Sequence, residues 1–172
     1  MTRVCLLGDD GVNLQYELLS RETSRNALAT YDLREPYDNA VALETVSLGS
    51  AVSLLNDLNW YLVRFAEDVL VLEPSVSEEE WLSRDVAAAV RDNDLTPEET
   101  ERFLKIYGVQ EQGEDLPDDV EQDEDEDGIE QDRPPKLVEP MYVTRTGPDL
   151  PEYDLRDVEE TVTVRVTKSE FE

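Results

Sequence analysis

Short apolar runs punctuated by turn formers follow one another along the chain, some with the period of a strand and some with that of a helix. Arg3 to Gly8 is an apolar run closed by Asp9-Asp10-Gly11, which reads as a short buried strand ending in a tight turn. Leu14, Leu18 and Leu19 then share one helical face, although Val12, Leu14, Tyr16 and Leu18 also alternate as a strand would. Residues 32 to 39, with Pro36 among several turn formers, read as loop. Val41, Leu43, Val46 and Leu48 predict a second strand ending at Gly49, after which Ser50 can cap a short helix through Leu58. Trp60 to Phe65 and Val69 to Leu72 are rich in β-formers and read as a hairpin around Ala66-Glu67-Asp68.

Two capping signals follow. Ser77 and Glu80, with Val76 and Trp81 at the staple positions, predict a helix from Ser77 to about Arg91 whose buried face carries Trp81, Leu82 and Val86. Thr96, Pro97 and Glu99 repeat the logic and predict a second helix ended by Gly108, so residues 77–107 read as an αα-hairpin. From Glu111 to Asp132 there are thirteen acids, no cation and almost nothing apolar, so residues 111–136 read as a disordered acidic linker. Leu137 to Arg145 and Thr161 to Thr167 read as strands returning to one sheet. The expected fold is α/β to α+β: a mixed sheet of five or six strands with helices mainly on one face. Residues 1–110 form its main portion and 137–172 complete it.

Charge changes this picture more than any motif does. Forty-three acids against fifteen Lys plus Arg leave a net charge of -28, a surface that would repel itself unless salt screened it. That predicts a salt-adapted, cytoplasmic protein, since no signal peptide opens the chain and no run of 18 apolar residues interrupts it. The single cysteine, Cys5, lies in the run Val4-Cys5-Leu6-Leu7 and should be a buried, inert thiol with a raised pKa.

The absence of histidine removes Ser-His-Asp and Cys-His arrangements and every imidazole metal ligand. Carboxylate chemistry survives that filter, so a Mg²⁺-dependent enzyme using Asp9, Asp10 and Asp38 is one expectation, although spacings that suit paired acids arise cheaply in so acidic a chain. Gly8-Asp9-Asp10-Gly11 stands where a phosphate loop would, but it lacks the glycine pattern and the lysine, and its acids would repel phosphate. Asp123, Asp125, Asp127 and Gly128 match the start of a calcium loop; position twelve is Pro134, so diffuse cation binding is the expectation. No cofactor fingerprint is present. Arg21, Arg25 and Arg34 cluster in sequence but read as charges on a solvated face, and the net charge argues against direct nucleic-acid contact.

Thr2-Arg3-Val4-Cys5-Leu6-Leu7-Gly8, Tyr16 to Thr23, Leu55 to Arg64 and Tyr153 to Glu159, together with the composition, resemble a haloarchaeal family known only as a domain of unknown function. The resemblance implies no activity. Trp60-Tyr61-Leu62 is also similar to the name-giving tripeptide of a ligand-sensing domain in prokaryotic transcriptional regulators, without the basic residues of that domain's groove. The leading expectation is a non-enzymatic binding or regulatory module acting through protein contacts, homo-oligomeric ones among them, with Trp60, Tyr61 and Phe65 as binding residues. The alternative is a small-molecule or nucleotide-sensing domain linked to transcriptional control.

Overall fold

The computed structural model describes residues 1–110, 134–146 and 160–171. The strand at the N-terminus forms as its apolar run requires: β1 (Thr2–Gly8) is buried at Val4, Cys5, Leu6 and Leu7. Two short helices follow, α1 (Leu14–Leu19), capped by Asn13, and α2 (Glu22–Leu28). Then come β2 (Ala40–Thr45), α3 (Leu48–Asp57), α4 (Asn59–Phe65), β3 (Ala66–Leu72), β4 (Trp81–Ser83) and α5 (Arg84–Arg91). A single 3₁₀ turn (Pro97–Thr100) precedes β5 (Phe103–Gln110), and β6 (Lys136–Thr144), β7 (Glu160–Arg165) and α6 (Lys168–Phe171) complete the described elements. The result is an α+β fold with one mixed sheet of seven strands, ordered β2-β1-β3-β4-β7-β5-β6. Its neighbours run antiparallel except for the parallel pair β4 and β7.

The strand count exceeds the five or six expected because the expected αα-hairpin yields two strands, β4 and β5, while only one expected strand is lost to helix. Trp60 to Phe65 is helix, and no hairpin forms around residues 66–68. Leu58, Tyr61, Leu62 and Phe65 repeat at three- and four-residue spacing and continue the buried stripe of Ala51, Val52, Leu54 and Leu55, so a helical face outweighs local β preference. The αα-hairpin over 77–107 is likewise replaced. Ser77 Oγ accepts from the amides of Glu79 and Glu80, at 3.2 and 3.0 Å, but only a turn results. The Glu80 carboxylate binds arginines instead of closing the box, Trp81 to Ser83 pair with β3 and β7, and the helix starts at Arg84 with Ser83 as cap. The capping box at Thr96 does form, yet its helix stops after one turn, because Phe103 to Gln110 is drawn between β7 and β6, with Gly108 beside a register shift rather than at a helix end. Likewise β2 ends at Thr45, and Ser47 rather than Ser50 caps α3, accepting from the Ser50 amide at 3.1 Å.

Alternate residues of each strand serve two cores. Val4 and Leu6 of β1 and Val69 and Val71 of β3 pack with the buried faces of α1 to α5. Cys5, Leu7 and Leu70 point the other way, into a second core with Tyr107, Val109, Val162, Val164 and Val166. That second face is concave. Adjacent strands lie about 4.8 Å apart, which would hold β3 and β5 on the order of 14 Å apart in a flat sheet with β4 and β7 between them. Tyr107 Oη nevertheless lies 2.7 Å from Asp68 Oδ2, so the sheet must curl. The curl brings its two ends together: the Asp38 amide, ahead of β2, donates to the Pro135 carbonyl, ahead of β6, at 2.8 Å.

Candidate functional site

A cleft of about 510 Å³ opens at the mouth of this curled sheet. The chain builds it where β1 ends. Gly8 and Asn39 approach so closely that a Cβ on Gly8 would fall 2.5 Å from Asn39 Nδ2. Gly11 turns the loop at a φ of +79°, and Asn39 itself adopts a φ of 61°. From there Asn39 Nδ2 donates to the carbonyls of Asp9 and Val12, at 3.1 and 2.6 Å, while its Oδ1 accepts from the Leu14 amide at 2.9 Å. One asparagine thereby fastens the loop after β1 to the loop before β2.

Tyr37 and Tyr107 supply aromatic wall, Asp10, Glu35, Asp38 and Glu67 supply carboxylates, and Lys136 stands at the same opening. The Glu67 carboxyl is raised above its usual range, first by partial loss of solvent and then by Asp10, Asp9 and Asp68, with Lys105 opposing. Burial raises the Tyr37 hydroxyl, followed by Cys5 and Glu160. Behind the cleft, Asp68 accepts from both the Lys105 ammonium and the Tyr107 hydroxyl, in a setting where Lys105 is 8% exposed. Burial, then the Asp68 charge and hydrogen bond, holds Tyr107 firmly protonated, so it is a donor to Asp68 and not a base. Cys5, close by in the same core, is pushed up to about 12 by burial and then by Asp68, the inert thiol its sequence setting implies.

A second polar group lies on the other face of the sheet. Glu80 Oε1 accepts from Arg145 Nη2 at 2.7 Å and Arg165 Nε at 2.8 Å, and Arg165 Nη1 donates to Thr100 Oγ1 at 2.9 Å. Burial alone would raise the Glu80 carboxyl, but the two guanidiniums outweigh it and lower it. This network ties the loops around β4 to β6 and β7 and is structural.

Of the residues singled out from the sequence, Asp10 and Asp38 line the cleft together with Gly8 and Gly11 of the turn after β1, and the proposed aromatic binding residues fall elsewhere. Tyr61 is buried and Phe65 is half-buried with the Arg21 guanidinium 4.9 Å from its ring centroid; Trp60 is 50% exposed on the outer side of α4, its ring 5.0 Å from that of Tyr61. Val63, one turn on, is 68% exposed, and Tyr16 on the adjoining α1 is 65% exposed. Asp10 and Asp38 both line the cleft, whereas Asp9 does not, and among the described residues no group of three or more acids or thiols is placed to hold a metal ion. Asp123, Asp125 and Asp127 lie outside the described residues, as do residues 111–133 of the acidic segment and the Tyr153 to Glu159 motif. Arg21 pairs with Glu17 at 2.6 Å, Arg34 with Asp32 at 3.1 Å, and Arg25 contacts the Leu19 carbonyl, so the three do not converge. Sequence reasoning did not find Lys105, Asp68 or Tyr107; a lone lysine inside an apolar run was the available signal.

Among the described residues no helix is long and apolar enough to cross a membrane. Residues 2–109 match a family described as a family of unknown function, DUF5804. No curated protein and no solved structure matches the chain.

Proposed function

The chain belongs to DUF5804, a family of unknown function, and from that premise, which carries no activity with it, we propose a non-enzymatic binding module that acts through protein contacts. The observation that supports this reading is the outer side of α4, where Trp60 and Val63, one turn apart, stand exposed. Clustered exposed aromatic and aliphatic side chains are costly to leave wet and are characteristic of contact surfaces. The acid excess supports placing the protein in the cytoplasm of a salt-adapted, haloarchaeal cell. The test is a pull-down at about 2 M salt, where the acidic surface is screened. The tagged chain is compared with a folded Trp60→Ser/Val63→Asp variant. A stoichiometric protein captured by the first and lost from the second is the expected result; capture unchanged by the substitutions, or no protein captured, refutes the reading.

A second reading, the small-molecule sensor, is supported by the cleft. Its volume of about 510 Å³ is in the range of small-ligand sites, and tyrosine rings beside carboxylates suit a small organic cation. Thermal-shift measurement with linear polyamines and quaternary ammonium compounds tests it. Stabilisation that disappears in Tyr37→Ala supports the sensor, and stabilisation that persists there is general screening of the surface.

A further inference from the structure

The protein-contact reading leaves the partner's chemistry unspecified, and the arginines around α4 supply it. Arg3, Arg21, Arg34, Arg91, Arg145 and Arg165 each stand within 4.0 Å of a carboxylate. Among the described residues Arg25, Arg64, Arg84 and Arg102 do not, in a chain with forty-three acids, and two of these four hold the same short helix. The Arg64 guanidinium lies 3.8 Å from the centroid of the Trp60 ring, and its Nη1 donates to the Trp60 carbonyl at 2.9 Å. Arg84 donates from Nη1 to Asn59 Oδ1 at 2.8 Å and from Nη2 to the Leu55 carbonyl at 3.2 Å. Both guanidiniums are therefore fixed by neutral oxygens, with donors to spare. Between Val46 and Ala66 the only acid is Asp57; Glu67, Asp68 and Glu170 line the same depression as Val63 and Arg84 without pairing with either arginine.

A guanidinium already ordered by ring stacking and a carbonyl loses less freedom on receiving a carboxylate than a free side chain would. Next to it, Trp60 and Val63 offer an apolar seat. A nucleic acid, with charge spaced every few ångström, would run beyond the two guanidiniums onto surrounding carboxylates. A protein segment can instead bring one or two carboxylates beside a single apolar anchor. We propose that the outer face of α4 docks an amphipathic protein segment whose apolar side chain rests on Trp60 and Val63 while flanking carboxylates bind Arg64 and Arg84. This rests on the protein-contact reading and names the partner's chemistry.

The test uses Trp81→Phe in the full chain, which leaves Trp60 as the one tryptophan. The probe is a synthetic amphipathic peptide with leucines along one helical face and glutamates beside them, its control carrying lysine for every glutamate. A saturable blue shift of Trp60 emission with the glutamate peptide is expected, weakened about tenfold or more by Arg64→Glu or Arg84→Glu and unaffected by Arg102→Gln. Arg64→Gln, which retains bulk and solubility, guards against a folding artefact and should weaken binding to a lesser degree. Absence of a shift, equal binding of the lysine peptide, displacement by oligothymidine, or a shift that depends on protein concentration alone would each overturn the proposal, the last in favour of a second copy. Should the peptide fail while the pull-down still loses its protein in the Trp60→Ser/Val63→Asp variant, the carboxylate chemistry is wrong and the protein-contact reading stands. Should both fail, that reading falls as well.

Discussion

On β1 and β3, adjacent residues enter two different interiors. Val4, Leu6, Val69 and Val71 meet helices across an entirely apolar contact, while Cys5, Leu7 and Leu70 enter a concavity closed by the sheet's own curl, where Lys105, Asp68 and Tyr107 are enclosed with them. A helix brings its own apolar stripe, so where helices cover the convex side only volume is required, the Glu80 and Arg165 network of that face lying on β7 and the loops around β4. A sheet curling on itself brings whatever its strands carry, and charge that arrives inside must be balanced there. Apolar fit holds one interior, and matched polarity constrains the other.

The strongest way to break this contrast is to remove one charge. Lys105→Met should destabilise by about 3 kcal/mol, because the largely enclosed Asp68 loses its counter-charge and keeps only the Tyr107 hydroxyl, while Asp68→Leu/Lys105→Met should recover most of the loss. Denaturant titration at constant high salt measures both; a single substitution costing under about 1 kcal/mol would mean the pair is hydrated in solution. On the convex side Leu55→Ala should cost about 2–5 kcal/mol, and no polar second change should rescue it. Gly8→Ala comes next, at about 1–3 kcal/mol, since its methyl group collides with Asn39, and Asn39→Gly should relieve part of that clash.

Acid sharpens the comparison further. Glu80 has a lowered folded pKa, so its stabilisation is present above the ordinary carboxylate range and is lost as pH falls through the folded value. Glu67 has a raised one, so its contribution improves as pH falls through that range. Glu80→Gln should therefore flatten the loss of stability in acid, and Glu67→Gln should stabilise slightly near neutrality; melts from pH 3 to 7 at fixed salt decide both. The smallest structural perturbation is chemical: iodoacetamide should modify Cys5 in the folded chain far more slowly than in the denatured chain, because burial both excludes the reagent and raises the thiol pKa.

What was legible in the sequence was local. The turn at Gly11, the capping box at Thr96, the buried thiol and the C-terminal strands can be read from neighbours in the chain. The errors came where a local signal and a long-range one disagreed. Trp60 to Phe65 favours strand by residue type, but its burial period is helical; Thr96 starts a helix correctly, but β7 and β6 claim the residues beyond. Glu80 satisfies a capping pattern and is taken by arginines far along the chain. Of the cleft only the pairing of Asp10 with Asp38 was legible, since Gly8, Tyr37, Glu67, Tyr107 and Lys136 come from five separate segments and meet only because the sheet curls. Trp60 was singled out as part of a strand, and it stands exposed on a helix instead.

The position of β7 has one more consequence. It pairs with β4 on one side and β5 on the other, yet it lies beyond residue 109, where the family match stops. A polypeptide lacking β7 would leave open the edges of β4 and β5 with which it pairs, and a separately supplied peptide spanning residues 160–171 has the register to fill that place. The molecule is thus organised for fragment complementation: cut between β6 and β7, its two pieces should reassemble without a covalent link, and gain of β-sheet circular dichroism on mixing would report it.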